Sequence, residues 1–313
     1  GLDLTVIDGQ CDDRFVSHIL DIRTGKRRTL PFPVYALSPD GRTAVAPDFR
    51  RINDMRPGYG YAGLPDPYAD QLAPENSGIF ALDLESGKQN LMVSLAEIAA
   101  IPYPHADLSA AKHYFNHLLV SPDGTRLEFL HRWRIEGQRS FGTRMLTAPL
   151  TQGPLTPRDI RVVDDYGQTS HFIWRDPAHI LAWGYHPSHE WAFYLYEDSP
   201  EATKGTMVSV PTVVGKDVMV VNGHCTYLPG NEWILNDTYP DPERRQHLYL
   251  YHVASGRRVP LGHFDAPEPY RGEWRCDLHP RFSPDGRLVT IDSPHGGEGR
   301  QIYLLNISEV VTS

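Results

Sequence analysis

Four histidines recur in this chain at one phase against a short turn. His117 stands four residues before Ser121-Pro122-Asp123-Gly124, His224 four before Leu228-Pro229-Gly230-Asn231, and His279 four before Ser283-Pro284-Asp285-Gly286. His171 holds the same place before Arg175-Asp176-Pro177, and the steps between the four are 54, 53 and 55 residues. A further copy of the turn, Ser38-Pro39-Asp40-Gly41, has Val34 at the histidine's position. Asp-Gly between alternating apolar stretches is a hairpin signal. Behind the turns come β-rich runs such as LEFLHRW, HILAWGY, EWILNDTY and LVTIDS, and then AFYLYED, HLYLYHV or QIYLLNI. The segments LDIRTGKRRTL, LDLESGKQNL and YHVASGRRVPL read as strand, Ser/Thr-Gly turn, strand. Four short antiparallel strands in roughly 50 residues make one blade of a β-propeller.

The fold class is therefore all-β, with blades at 1–33, 34–98, 112–165, 166–216, 219–265 and 273–313. The second is lengthened by MRPGYGYAGLPDPYADQLAPENSG, read as a surface loop. The first unit begins at its second strand, LTVIDG, and the last stops after its third, which would leave sheet edges unpaired. The expectation is a single propeller domain over 1–313, truncated at its N-terminus, with about six blades visible of a natural seven.

Bulk properties narrow the partners. An apolar fraction of 40% and a charged fraction of 22% are those of a soluble globular protein. A net charge of -9 argues against nucleic acid or an anionic membrane. No apolar run is long enough to span a bilayer. Three cysteines, Cys11, Cys225 and Cys276, form no CxxC pair and no even framework, which points to a reducing compartment and a cytoplasmic location. No nucleophile elbow, P-loop, dinucleotide fingerprint or HExxH is present.

In a propeller the first strand of each blade lines the channel, so His117, His171, His224 and His279 are expected to open their inner strands together at one mouth. Strand alternation puts Leu119, Ile173, Thr226 and Arg281 on the histidine side, and Val120, Trp174, Tyr227 and Phe282 between blades. Fourteen residues after each histidine stand His131, Tyr185, Thr238 and Ser293, with Arg132, Arg134, His186, Tyr239, His295 and Arg300 nearby. Repeat ancestry alone could copy a structural histidine into every blade; neutral imidazoles crowded at one channel also suit metal binding or proton transfer. Asp277 and His279 lie at i, i+2 on an extended segment, and with His224 make a two-histidine, one-carboxylate set suited to Mn, Fe, Zn or Ca. Cys225 and Cys276 adjoin this set and keep a thiolate zinc site as an alternative, which the strand period disfavours.

The segments GHCTYLPGNEW, TSHFIWRD, NHLLVSPDG and LHPRFSPDGRLVTIDSPHGGEGRQIYLLNI resemble the oligogalacturonate lyase-like propellers, relatives of TolB-type blades. The resemblance covers most of the chain, and residues 112–313 most clearly. It implies a seven-bladed propeller holding a divalent metal, manganese first and zinc or calcium as alternatives, that cleaves uronate glycans by β-elimination. It implies that His224 and His279 are metal ligands, with Asp277 at the position of a family histidine, and that His171 is the catalytic base. The family's glutamine ligand has no clear counterpart near Glu273-Trp274. Tyr185 is the alternative base. Arg132 and His117 are read as carboxylate or leaving-oxygen partners, and His131, Arg134, Tyr239, His295 and Arg300 as further substrate contacts. The partner would be an acidic oligosaccharide. The competing class is a non-catalytic TolB-like propeller binding a protein or saccharide on the same face.

Overall fold

Each Ser-Pro-Asp-Gly turn closes on its own side chains. In the computed structural model, Ser38 Oγ donates to Asp40 Oδ1 at 2.5 Å and accepts from the Thr43 amide at 3.0 Å. The Ser121 and Ser283 turns repeat both bonds. The glycines of the three turns sit at φ 66°, 75° and 70°, which an L side chain adopts only with strain. These bonds hold the Asp40, Asp123 and Asp285 carboxyls below the usual carboxylate range, the serine hydroxyl being the largest cause in each.

The structure describes residues 4–11, 13–138, 140–199 and 211–312, and the chain divides into two compact units. The first comprises Gly1–Gly167 with Asp198–Val208. It holds three antiparallel sheets: β1 (Leu4–Cys11), β2 (Arg14–Asp21) and β3 (Arg27–Leu30); β4 (Ala36–Leu37), β5 (Thr43–Pro47), β6 (Gly78–Asp83) and β7 (Gln89–Ser94); and β8 (Ala111–Val120), β9 (Arg126–Ile135), β10 (Gly142–Pro149) and β11 (Arg161–Gly167). The second comprises Gln168–Glu197 with Ser209–Ser313. Its sheets are β12 (Phe172–Asp176), β13 (His179–His186), β14 (Glu190–Glu197) and β15 (Thr212–Val214); β16 (Thr226–Tyr227), β17 (Trp233–Asn236), β18 (Arg245–His252) and β19 (Arg258–Asp265); and β20 (Arg281–Phe282), β21 (Leu288–Ser293) and β22 (Gln301–Asn306). Strands are hydrogen-bonded in sequence order within every sheet, as meandering blades require.

The expected inner-strand alternation holds in three of the four strands: Val120, Trp174 and Tyr227 are buried, whereas Leu119, Ile173 and Thr226 are half-buried; in the fourth Arg281 is exposed and Phe282 only half-buried. In the first unit Phe115, Leu118, Val120 and Phe129 pack with Val45, Ile79 and Met92. In the second, Tyr227, Ile234 and Tyr249 pack with Leu181, Trp183 and Phe193, so adjacent sheets of each unit share apolar clusters. Among the described residues no helix is long and apolar enough to cross a membrane.

One local feature adds to the sequence expectation and another departs from it. The insertion of the second blade follows a helix, α1 (Phe49–Met55), and folds around one fully buried guanidinium carried by that helix. Arg51 pairs with Asp66 at 3.1 Å and donates to the carbonyls of Tyr68, Gln71, Leu72 and His113. A buried charge persists only when so fully bonded; the segment is the surface loop expected, without helix or strand over 56–77, and Arg51 pins it to the unit. His117 does not open its strand: it lies inside β8, at a break in the β8–β9 register, with φ 51°. The other three phased histidines do stand immediately before, or two residues before, β12, β16 and β20.

Candidate metal centre

The second unit gathers three of the phased histidines. The rings of His171 and His224 have centroids 4.2 Å apart, and those of His224 and His279 are 4.0 Å apart. One donor atom from each of His224, Asp277 and His279 can be chosen so that all three lie within 4.8 Å of one another. Among the described residues this is the one His/Cys/Asp/Glu cluster close enough to hold an ion.

The residue that organises the cluster is Asp237, almost wholly buried just after β17. It accepts from His224 Nδ1 at 2.9 Å and from the backbone amides of His224 and His279 at 2.5 and 3.2 Å. Burial alone would raise its carboxyl; the hydrogen bonds from the His224 ring and from the His224 amide outweigh this and hold it below the usual range. A carboxylate at Nδ1 fixes His224 with its proton there and leaves Nε2 as the lone-pair donor. His279 Nδ1 faces the carbonyl oxygen of Asp277 at 3.2 Å, so it too presents Nε2. Partial desolvation, then the proximity of His224, lower the pKa of His279, which favours the neutral imidazole that a metal requires.

Local backbone explains how these groups come so close. A Cβ on Gly223 would lie 1.9 Å from the Asp237 carbonyl oxygen, so only glycine allows the 223–225 segment to press against Asp237. His279 has φ 41°, a left-handed conformation that a non-glycine residue holds only when its surroundings impose it. Here the surroundings are its amide bond to Asp237 and the bond from the Asp292 amide to the Leu278 carbonyl.

Two neutral imidazoles and one carboxylate are a common set for a divalent cation with coordination positions left for substrate, and the tautomers fit it. Cys225 is buried in the apolar cluster with Tyr227 and Ile234 instead of among the donors. The Asp277 carboxylate, 4% exposed, is paired with Arg275 Nε at 2.8 Å. Glu273 and Trp274 are both exposed and stand outside the donor cluster.

His171 sits beside the cluster with both ring nitrogens directed. Nδ1 faces the Asn222 side-chain carbonyl at 2.8 Å and so carries the proton. Nε2 is 3.4 Å from the Tyr239 hydroxyl, which donates to it. Desolvation, then the neighbouring His224, pull the His171 pKa down to about 3. Its imidazole is therefore neutral near pH 7. Tyr239 also forms one wall of a cavity of about 490 Å³ lined by Val218, Val220, Tyr249, His247 and Arg258.

The remaining candidates are dispersed. In the first unit His131 is fully buried, its nitrogens engaged by His113 at 2.8 Å and by Arg144 at 3.0 Å; these bonds give it a structural place instead of the expected substrate contact. Arg132 is buried with its guanidinium 4.6 Å from the Phe141 ring, and Arg134 and His117 are half-buried in β9 and β8. In the second unit Tyr185 packs edge-on to Trp191 at 6.0 Å. His295 is exposed and bonded to Ser293, and Arg300 is exposed and bonded to the Trp274 carbonyl.

Sequence reading missed Asp237, Asn222 and Arg275. Asp237 lies thirteen residues after His224, directly before Thr238, and the glycine before His224 is its local signal. Replacing Asp237 by Asn removes the carboxylate at His224 Nδ1 while keeping the shape. We expect metal affinity to fall about 10–100-fold, the usual effect of removing such a partner. A titration with Mn²⁺ followed by calorimetry reads this directly, and unchanged affinity would show that Asp237 has no part in the centre.

No family model and no curated protein matches the sequence. Among solved structures, an oligogalacturonate lyase in complex with manganese is 14% identical and aligns over 99% of this chain and 88% of its own, with a TM-score of 0.48. TolB from Acinetobacter baumannii is 14% identical over 95% of this chain and 58% of its own, at TM-score 0.53. A prolyl oligopeptidase B from Galerina marginata is 9% identical over 97% of this chain and 38% of its own, also at 0.53. The chain thus has the β-propeller fold, a fold shared by proteins of very different function.

Proposed function

We propose that this β-propeller is a metal-dependent lyase that cleaves uronate-containing oligosaccharides by β-elimination. The observation that carries the reading is the convergence of His224, Asp277 and His279 within 4.8 Å, with His171 packed against them. His224 and His279 through Nε2, and Asp277 through its carboxylate, would hold the cation, manganese first. When bound, the ion polarises the substrate carboxylate and so acidifies the proton on the adjacent carbon. The protein's own residues do the rest. His171 accepts the C5 proton at Nε2, the electron pair left behind forms the C4–C5 double bond, and the C4–O4 bond breaks. The Tyr239 hydroxyl, which points at the same nitrogen, carries a proton toward the departing O4. The adjoining cavity, apolar on the valine and tyrosine side and bordered by Asp241, His247 and Arg258, offers room for the neighbouring sugar.

A second reading, a metal-free binding face, draws on one observation: Asp277 already has a cationic partner in Arg275. The two separate in one experiment. The Mn²⁺-loaded protein is incubated with a panel of uronate oligosaccharides, oligogalacturonate first, while ultraviolet absorbance of the unsaturated product is followed. The lyase gives a steady rise that a chelator stops. A flat trace across the panel, together with retained saccharide binding after chelation, sinks the lyase and favours the binding face.

A further inference from the structure

We propose that Arg275 is the resident counter-ion of this centre, exchanged from Asp277 to the carboxylate of an acidic saccharide when a divalent cation binds. The inference rests on the lyase reading above and concerns how the same site selects its ligand.

Charge accounting leads to it. The Asp237 carboxylate is committed to His224 and two backbone amides, and Asp277 is paired with Arg275 at 2.8 Å. Among these groups Asp237 and Asp277 carry two negative charges and Arg275 one positive; Asp237 is held by the His224 ring and two amides, Asp277 by its salt bridge to Arg275. Adding a divalent ion to neutral His224 and His279 and to Asp277 leaves Asp237 and Asp277, two negative charges, facing the ion and Arg275, three positive ones. The loaded site is short of one anion. A carboxylate-bearing ligand supplies it, whereas a neutral sugar does not.

Geometry places Arg275 between the buried carboxylate and the cavity side of the site. Asp277 is buried, but the Arg275 side chain is 38% exposed, and its guanidinium lies 5.4 Å from the Tyr239 ring. Tyr239 is the residue that bonds His171 and walls the adjoining cavity, so the arginine already stands over the ligand's place. A guanidinium offers five donors in a fixed fork suited to two carboxylate oxygens, and it remains charged at any physiological pH. Beside it Trp274, 74% exposed, presents an indole on the same short segment, an aromatic surface of the kind on which a sugar ring packs.

The test uses Arg275→Met, which keeps much of the side chain's bulk and removes its charge. Calorimetry measures Mn²⁺ binding to parent and variant without sugar, then binding of trigalacturonate and of a neutral trisaccharide to both loaded proteins. Circular dichroism confirms that the variant is folded. With the competing cation gone, the variant should bind Mn²⁺ about tenfold more tightly, as expected of removing one like charge near the ion. It should bind trigalacturonate at least about tenfold more weakly, consistent with loss of a charge-assisted bidentate contact, and discriminate poorly against the neutral sugar. If the parent binds Mn²⁺ and trigalacturonate and the variant matches it in both, Arg275 is a structural ion pair and the inference fails while the metal centre stands. If the parent takes up no Mn²⁺, the metal reading fails and the exchange falls with it.

Discussion

Replacing His224 and His279 together by alanine is expected to leave the purified protein without bound divalent cation, measured by elemental analysis after equilibration with Mn²⁺. Two of three donors disappear, and the third, Asp277, retains Arg275 as its partner. A lone carboxylate already paired with a guanidinium has little remaining affinity for a cation at micromolar concentration. The double variant also carries a folding cost that has to be separated from metal loss. Removing the His224 ring takes one partner from Asp237, which is almost wholly buried, and breaking a buried pair from one side typically costs about 3–5 kcal/mol. The two amide bonds that remain on Asp237, and the partial exposure of the His224 ring, place the expected loss at the lower end of that range. His279→Ala alone is the informative control. Its ring is not bonded to Asp237, so this variant should keep its melting temperature within a few degrees and still lose most metal affinity. Metal content unchanged in the double variant refutes the centre.

The architecture was legible because the repeat carries its own geometry. A Ser-Pro-Asp-Gly turn is closed by bonds among six consecutive residues, so the sequence alone determines it, and the alternation of Val120, Trp174 and Tyr227 with half-buried neighbours follows from the two-residue strand period. The phase of the histidines predicted that four rings would meet, and within the second unit three of them, His171, His224 and His279, do come together. What the period could not show was the set of partners reached by tertiary approach. Asp237 matters because Gly223 lets the backbone come near it and because the His279 amide arrives from the next blade; neither contact has a local pattern. The same holds for His131, whose phase matched that of Tyr185 but whose burial is decided by His113 and by Arg144. His117 shares the spacing of the ring, yet β8 runs six residues upstream of it, so equal spacing did not mean equal place on the strand.

His171→Ala should lower the rate of uronate cleavage about 10²–10⁴-fold, the range that general acid–base groups contribute, while bound Mn²⁺ stays at the parental level. The separation follows from the geometry. His171 lies against His224 but outside the donor cluster, and its own nitrogens are directed to Asn222 and Tyr239. Its pKa near 3 keeps the imidazole neutral and able to accept a proton, though a base that weak needs help. Two sources of help are at hand. On the proposed lyase reading a bound cation would acidify the substrate proton, and a ligand carboxylate brought beside the ring would stabilise the imidazolium as it forms. His171→Ala therefore loses the acceptor, and Asn222→Ala should show a milder defect because it removes only the bond that orients the ring. Truncation also opens space beside His224, so the metal measurement is essential: a variant that loses both rate and metal would make His171 a supporting wall of the centre. A variant that cleaves uronates as fast as the parent removes His171 from the reaction altogether, and the Tyr239 hydroxyl, already aimed at the same point, would be the next group to test.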